Sequence, residues 1–335
     1  MKQRLHEIDF IKGIAIMSVI LLHTLSQDVL TATMAPLHIA QAVPLFLFIT
    51  YYLSFKGLTG KDDGEICSYY YSLKRVKRVL KEVAIPFLVV VALEVFSRNV
   101  ISIYLDKPFT IRELTVGFLG VGPGSYYFWI YLQLWILIPL IFFILKRFRW
   151  AGVIIVLLLS IALNIVCDRM STTPEIYRVL FIRYLFLSVP AFVLVDRENH
   201  GKNKLPIWVV AAIMISFAYL VCFKNFDLSP YILNLGWVGQ QWPAYFWTYL
   251  VFIGLFYLGH QLIGTKVSHF FEFLGQNSWY IFLTQMFLLT YFRIHYLAFI
   301  LNDVIRILVF ITLVFFASLT PTLLIQMFKR LRNKQ

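Results

Sequence analysis

Apolar residues along the chain gather in long windows separated by short polar stretches. The windows fall near 8–25, 38–55, 79–97, 126–145, 150–167, 179–195, 206–222, 242–263, 274–292 and 303–327. A helix needs about 20 mostly apolar residues to cross roughly 30 Å of hydrocarbon, and each window comes close to that length or exceeds it. The pattern predicts an all-α polytopic integral membrane bundle of about ten transmembrane helices. The longest connections, 56–78, 98–125 and 223–241, are too short for a soluble domain. Residues 1–335 are therefore expected to form one transmembrane domain, with any chemistry inside the bundle or at its mouths.

Composition narrows the class. Of the 335 residues, 60% are hydrophobic, 18% aromatic and only 14% charged, and the mean hydropathy is +0.77. Soluble domains carry about 25% charged residues, so a water-soluble enzyme, a disordered linker and a disulfide-stapled secreted domain are all excluded. The net charge of +13 would point to nucleic acid in a soluble protein. Here the positive-inside rule and anionic lipid account for it, and no nucleic-acid partner is expected. With the amino terminus inside, twenty lysines and arginines flank the windows on the inner side and seven on the outer, which predicts that both termini are cytoplasmic. The first window carries Lys12 and lacks an Ala-x-Ala processing site, so it is expected to stay attached.

Ionisable groups at membrane depth cost about 2.5–3.5 kcal/mol each on insertion scales, so each one needs a reason. Lys12 and His23 lie eleven residues apart in the first window. That is roughly three helical turns, which sets both on one face about 16 Å apart along the axis. Lys12 would sit at the cytoplasmic mouth and His23 towards the outer one. The plainer alternative has Lys12 snorkelling beside Asp9 and His23 near water at the helix end. Glu94 and Arg183 fall at similar depth in different windows, which predicts an ion pair across the bundle. Gln133, Asn277, Ser278 and Gln285 interrupt other windows, with interhelical hydrogen bonds as their expected role. The run from Lys74 to Lys81 holds five basic residues in eight positions. It serves as a topology signal on acidic headgroups or as a seat for a polyanionic cytosolic ligand. Cys67, Cys167 and Cys222 lack metal-ligand spacing. Cys167 and Cys222 both map to outer helix ends, leaving open a disulfide or separate buried thiols.

Several of these segments together resemble the membrane-bound acyltransferase 3 family. Ile8-Asp-Phe-Ile-Lys12, running on to His23, is similar to its first helix, which has a basic residue, ten intervening residues and a histidine. Val43-Pro-Leu-Phe-Leu-Phe-Ile-Thr-Tyr-Tyr resembles its second-helix pattern, and Lys74-Arg-Val-Lys-Arg-Val before Pro86 its basic lead-in to helix three. Gly122-Pro-Gly-Ser-Tyr-Tyr leading to Pro139, and Leu274-Gly-Gln-Asn-Ser-Trp-Tyr-Ile-Phe-Leu, complete five motifs in order from residue 8 to about residue 290. There are departures. Lys12 stands where Arg is usual, Gln285 where many members have His, and Thr50-Tyr51 where Ser-Gly is usual. The extra carboxy-terminal hydrolase-like domain of some members is also missing, so transfer is expected to be complete within the membrane domain.

The resemblance implies an O-acyltransferase of the cell membrane. It would move an acyl group, usually acetyl from acetyl-CoA, onto a hydroxyl of a surface carbohydrate or its lipid-linked precursor, with no metal. His23 suits the task of general base or transient acyl carrier, because its titration range matches neutral pH. Lys12, Arg75 and Arg78 would hold the polyanionic coenzyme A. Tyr126, Tyr127 and Trp129 could stack on sugar rings, and Glu94 and Arg183 would act on the acceptor side or structurally. Self-association into a homo-oligomer is left open. The competing reading is a transporter or exporter of a lipid-linked sugar or polysaccharide subunit, against which no inverted repeat or pair of broken helices is found.

Overall fold

A computed structural model describes residues 5–104, 124–201, 204–226 and 238–332. Among these residues the protein is helical, with no strand. In chain order the helices are α1 (His6–Thr24), α2 (Gln27–Ala32), α3 (Ala42–Leu58), α4 (Ile66–Tyr70), α5 (Leu73–Val79) and α6 (Ile85–Tyr104). There follow α7 (Tyr126–Phe148), α8 (Trp150–Arg169), α9 (Pro174–Val179), α10 (Ser188–Asn199) and α11 (Ile207–Phe226). The last are α12 (Tyr245–Gln261), α13 (Lys266–Gln276), α14 (Ser278–Tyr291) and α15 (Asp303–Arg332). By length and composition, four segments could cross a membrane: Ala35–Leu58, Tyr126–Phe148, Trp150–Arg169 and Asp303–Leu324. Helix occupies part of every other predicted window as well. Large apolar side chains such as Phe96, Leu158 and Leu308 remain exposed on the outer faces of α6, α8 and α15, as lipid-facing surfaces require.

The sixth window is a correction. Residues 179–195 do not form one continuous helix. The chain runs through the end of α9, a 3-10 turn at Phe181–Tyr184, and then α10. Pro190 sits in the first turn of α10. It has no N–H to offer the carbonyl one turn earlier, and its ring would collide with that carbonyl, so a helix is readily started there and poorly continued through. Gln133 of α7 satisfies the backbone freed by this break. Its Nε2 donates to the Val179 carbonyl at 2.8 Å, and its Oε1 accepts from the Phe181 N–H at 3.2 Å. A second irregularity precedes α6, where Leu80–Ala84 form a π turn. Pro86 leaves the Glu82 carbonyl without its usual donor, and the widened ladder accommodates the ring.

Helix α1 is the hub, packing against α3, α12, α13, α14 and α15. Its contact with α13 is backbone on backbone. A Cβ placed on Gly13 would lie 2.0 Å from the Phe271 carbonyl oxygen, and one on Gly275 would lie 1.8 Å from the Asp9 carbonyl oxygen. Two histidine–carboxylate contacts fix the start of α1. His6 Nδ1 lies 2.8 Å from Glu272 Oε2, and His260 Nδ1 lies 3.1 Å from Glu7 Oε1. Burial pushes the Glu272 carboxyl up, but the hydrogen bonds from His6 and from Ser268 outweigh it and hold it below its ordinary value. A carboxylate held low stabilises the fold fully above the ordinary carboxylate range, and that contribution is lost as pH falls below it.

Candidate functional site

Three spaces open along α1. The first is a mouth of about 820 Å³ near its amino-terminal end, lined by Asp9, Lys12, Lys56, Arg78 and Glu82 together with the small residue Gly275. Arg78 Nε reaches Glu82 Oε2 at 2.8 Å, Lys56 Nζ reaches Glu198 Oε2 at 2.9 Å, and Lys12 Nζ lies 3.8 Å from Asp9 Oδ1. The π turn contributes here, since it carries Glu82 towards the mouth and the adjacent Val83 towards the next space. Each of the three cations thus has a carboxylate beside it, and an anion entering the mouth would compete with those pairs, the loosest being Lys12 with Asp9.

The second space is a cavity of about 320 Å³ further along α1, lined by Lys12, Val19, Thr50, Tyr127, Tyr131 and Ser278, with Trp279 and Phe282. Lys12 and Leu53 line both spaces, so the cavity adjoins the mouth at the lysine. The walls mix aromatic and aliphatic side chains. The Tyr127 ring meets Trp279 at 6.1 Å and Phe282 at 5.7 Å. Gly124 closes this wall with φ +86°, and a Cβ there would lie 3.0 Å from the Phe282 ring and 3.1 Å from the Met286 side chain. Both its backbone conformation and its close approach call for glycine.

The third space is a pocket of about 680 Å³ at the far end of α1, lined by His23, Arg293, His295, Asp303 and Arg306 among apolar neighbours. His23 is exposed to it, one turn beyond Val19 of the cavity. No hydrogen bond to its imidazole is found among the described residues. Between Phe282, in the cavity wall, and Leu289, in the pocket wall, α14 carries the buried Gln285 and Met286. Gln285 Nε2 donates to the Val19 carbonyl at 3.3 Å, tying α14 to the turn of α1 that presents His23.

Other expected site residues lie elsewhere. Arg75 does not line the mouth; its guanidinium stacks on Tyr69 at 4.3 Å and Tyr70 at 5.4 Å. Glu94 and Arg183 do not pair. Glu94 binds Arg98 one turn along its own helix at 2.5 Å. Arg183, 1% exposed, lies among Tyr126, Tyr177 and Tyr184, and donates to the Arg178 carbonyl at 3.1 Å. Tyr126 is buried with the Arg178 guanidinium over its face at 4.6 Å, so it offers no ring to a sugar, whereas Tyr127 faces the cavity. Trp129 packs edge-on against Phe87 and Phe128. Asn277 bonds within its own chain turn, to the Phe273 carbonyl at 2.7 Å, and not across helices. Cys67, Cys167 and Cys222 are free thiols, with Cys167 buried, Cys222 partly buried and Cys67 exposed. Among the described residues no cluster of His, Cys, Asp and Glu could hold a metal ion.

The residues that the spacing missed are Lys56, Glu82 and Tyr131 and, in the third space, Arg293, His295 and Arg306. Lys56 and Arg293 register in the sequence only as loop charges. His295 belongs to no motif, and Arg306 was visible only as a charge inside a window.

The family described as "Acyltransferase domain", acyltransferase 3, matches residues 5–327. No curated protein and no solved structure matches the chain. The matched region holds all three spaces along α1, and the chain belongs to the acyltransferase 3 family of membrane acyltransferases.

Proposed function

We propose that the protein is an O-acetyltransferase of the plasma membrane, crossing it about ten times with both termini cytoplasmic. On this reading acetyl-CoA enters the basic mouth from the cytosol, and a carbohydrate hydroxyl, on a surface glycan or a lipid-linked precursor, is acetylated at the outer pocket. One observation carries the proposal. Lys12 borders both the mouth and the adjoining cavity, and the same helix continues to His23 in a separate pocket at its far end.

Each part follows from the chemistry. Coenzyme A is polyanionic, and Arg78, Lys56 and Lys12 present three cations at one opening. Arg75, held on Tyr69 and Tyr70, acts at a distance through its charge. The apolar walls of the cavity reduce the water around a thioester threaded past Lys12, which limits hydrolysis. A sugar hydroxyl needs a base within hydrogen-bond reach, and His23 has an imidazole exposed to the pocket. His23 takes the hydroxyl proton while the oxygen attacks the thioester carbonyl. The C–O bond forms, the C–S bond breaks, and the proton passes to the departing sulfur to give the free thiol. In the two-step form His23 first accepts the acetyl group and then yields it to the hydroxyl.

The function is tested by mass spectrometry of surface glycans from cells with and without the gene. Loss of one acetyl increment on deletion, restored by the intact gene, is the expected outcome; unchanged glycans overturn the reading. The donor seat has its own test. Arg78→Ala is expected to raise the KM for acetyl-CoA about tenfold with little change in kcat, since one charge-assisted contact is worth about 1.5–3 kcal/mol. Titration of purified protein with acetyl-CoA at two salt concentrations checks this, because an ionic contact weakens with salt.

A further inference from the structure

The outer pocket holds more positive charge than a general base requires. Arg293 projects from the start of the 3-10 turn Ile294–Leu297, is exposed, and has no carboxylate partner among the described residues. Arg306 shares the same pocket and contacts Asp303 three residues earlier on α15, whose carboxylate remains largely in solvent. His295 lines the same pocket as His23. Two arginines and two histidines therefore face one carboxylate in a space of about 680 Å³. Arg293 lies in the connection between α14 and α15, where its exposed guanidinium has no carboxylate among the described residues to satisfy it and is open to an anion entering the pocket.

The surroundings of the pocket narrow the kind of anion. Its walls include Leu289, Phe292, Ile307 and Phe310, and the adjoining connection exposes Phe299 at 76% and Leu301 at 94%. Side chains of that size and exposure belong in hydrocarbon or at its interface. A polar, cationic basin with an apolar rim fits an oxyanion carried at the membrane surface. Guanidinium forks engage phosphate oxygens in pairs, which a neutral sugar cannot exploit.

We propose that this pocket is a phosphate-recognition subsite for the acceptor, with Arg293 and Arg306 as specificity-determining residues. The inference rests on the acyl-transfer reading for its biological meaning. The binding it asserts does not depend on that reading. The phosphate comes from a lipid-linked glycan or from a soluble phosphorylated one, and the subsite chemistry is the same for both.

The test uses the full chain in nanodiscs of neutral phosphatidylcholine with three probes: a polyprenyl phosphate, the uncharged polyprenol of equal length, and glucose 1-phosphate. A phosphate probe is expected to bind, and Arg293→Gln to weaken it about tenfold, as loss of one charge-assisted hydrogen bond implies. Arg293→Lys should recover part of that loss. Arg306→Gln should act in the same direction, and polyprenol binding should be indifferent to all three changes. Tight binding of the polyprenyl phosphate alone assigns the lipid-linked source, and comparable binding of glucose 1-phosphate assigns the soluble one. The proposal is overturned if Arg293→Gln and Arg306→Gln leave both phosphate affinities unchanged, or if polyprenol binds as tightly as its phosphate. No donor is present, so failure here leaves acetyl transfer standing, and an inactive enzyme with intact phosphate binding fails only the transfer reading.

Discussion

His23→Ala is expected to yield a folded, membrane-inserted protein that no longer transfers acetyl groups. The imidazole is exposed to the outer pocket and has no hydrogen-bond partner among the described residues, so its removal leaves no buried group unsatisfied. Loss of a positioned general base lowers rate by about 10²–10⁴-fold. Loss of an acyl carrier would be at least as severe. Lys12→Ala should behave differently. It removes the cation at the junction of mouth and cavity, and should chiefly weaken donor binding, whereas Lys12→Arg keeps the charge and should keep activity. Initial rates with acetyl-CoA, compared with thermal unfolding of the same preparations, separate these outcomes. A His23→Ala protein that transfers at near wild-type rate would remove the base from the mechanism.

The largest effect on folding is expected at the contact between α1 and α13. Gly13→Val and Gly275→Val each drive a side chain into backbone, with the nearest carbonyl oxygens 2.0 Å and 1.8 Å from the first added carbon. Overpacking against movable side chains costs about 1–3 kcal/mol. Here neither partner is a side chain, so the helices must separate and the loss should exceed that range. Because α1 also carries the mouth, the cavity and the pocket, both variants should fail to give a monodisperse protein in detergent. Gly254→Ala is the control. Nothing lies within 4 Å of the position a Cβ would take, and alanine favours helix by about 1 kcal/mol. Size-exclusion profiles and thermal unfolding of the three variants decide the matter. Well-folded Gly275→Val would show that the close approach is dispensable.

These two glycines show why parts of the sequence were readable. Lys12-Gly13 and Leu274-Gly275 stand in motifs that carried the family resemblance, and the structure adds a steric reason, since the two segments touch through the glycines. The windows also located helices well, because a run of apolar residues in a membrane has few other solutions. What failed was direction around a helix axis. Glu94 and Arg183 were expected at one depth, but depth carries no azimuth, and each found a partner closer at hand. Tyr126 and Tyr127 are neighbours set about 100° apart on α7, so one lies buried under Arg178 and the other faces the cavity. Arg75 and Arg78 sit on adjacent turns of α5, yet Tyr69 and Tyr70 capture the first. The outer pocket was the least legible part. Arg293 and His295 come from the connection between α14 and α15, which has no periodic pattern, and only the fold brings them to His23.

The central claim is that the donor enters at the basic mouth and the acetyl group leaves at the opposite end of α1. Sealed membrane vesicles of both orientations, containing the protein and its native glycans and given radiolabelled acetyl-CoA outside, test it directly. Label should enter glycan only in inside-out vesicles, where the mouth of Lys12, Lys56 and Arg78 faces the added donor, and His23→Ala vesicles should incorporate none. Equal labelling in right-side-out vesicles, or labelling that survives His23→Ala, would contradict the account.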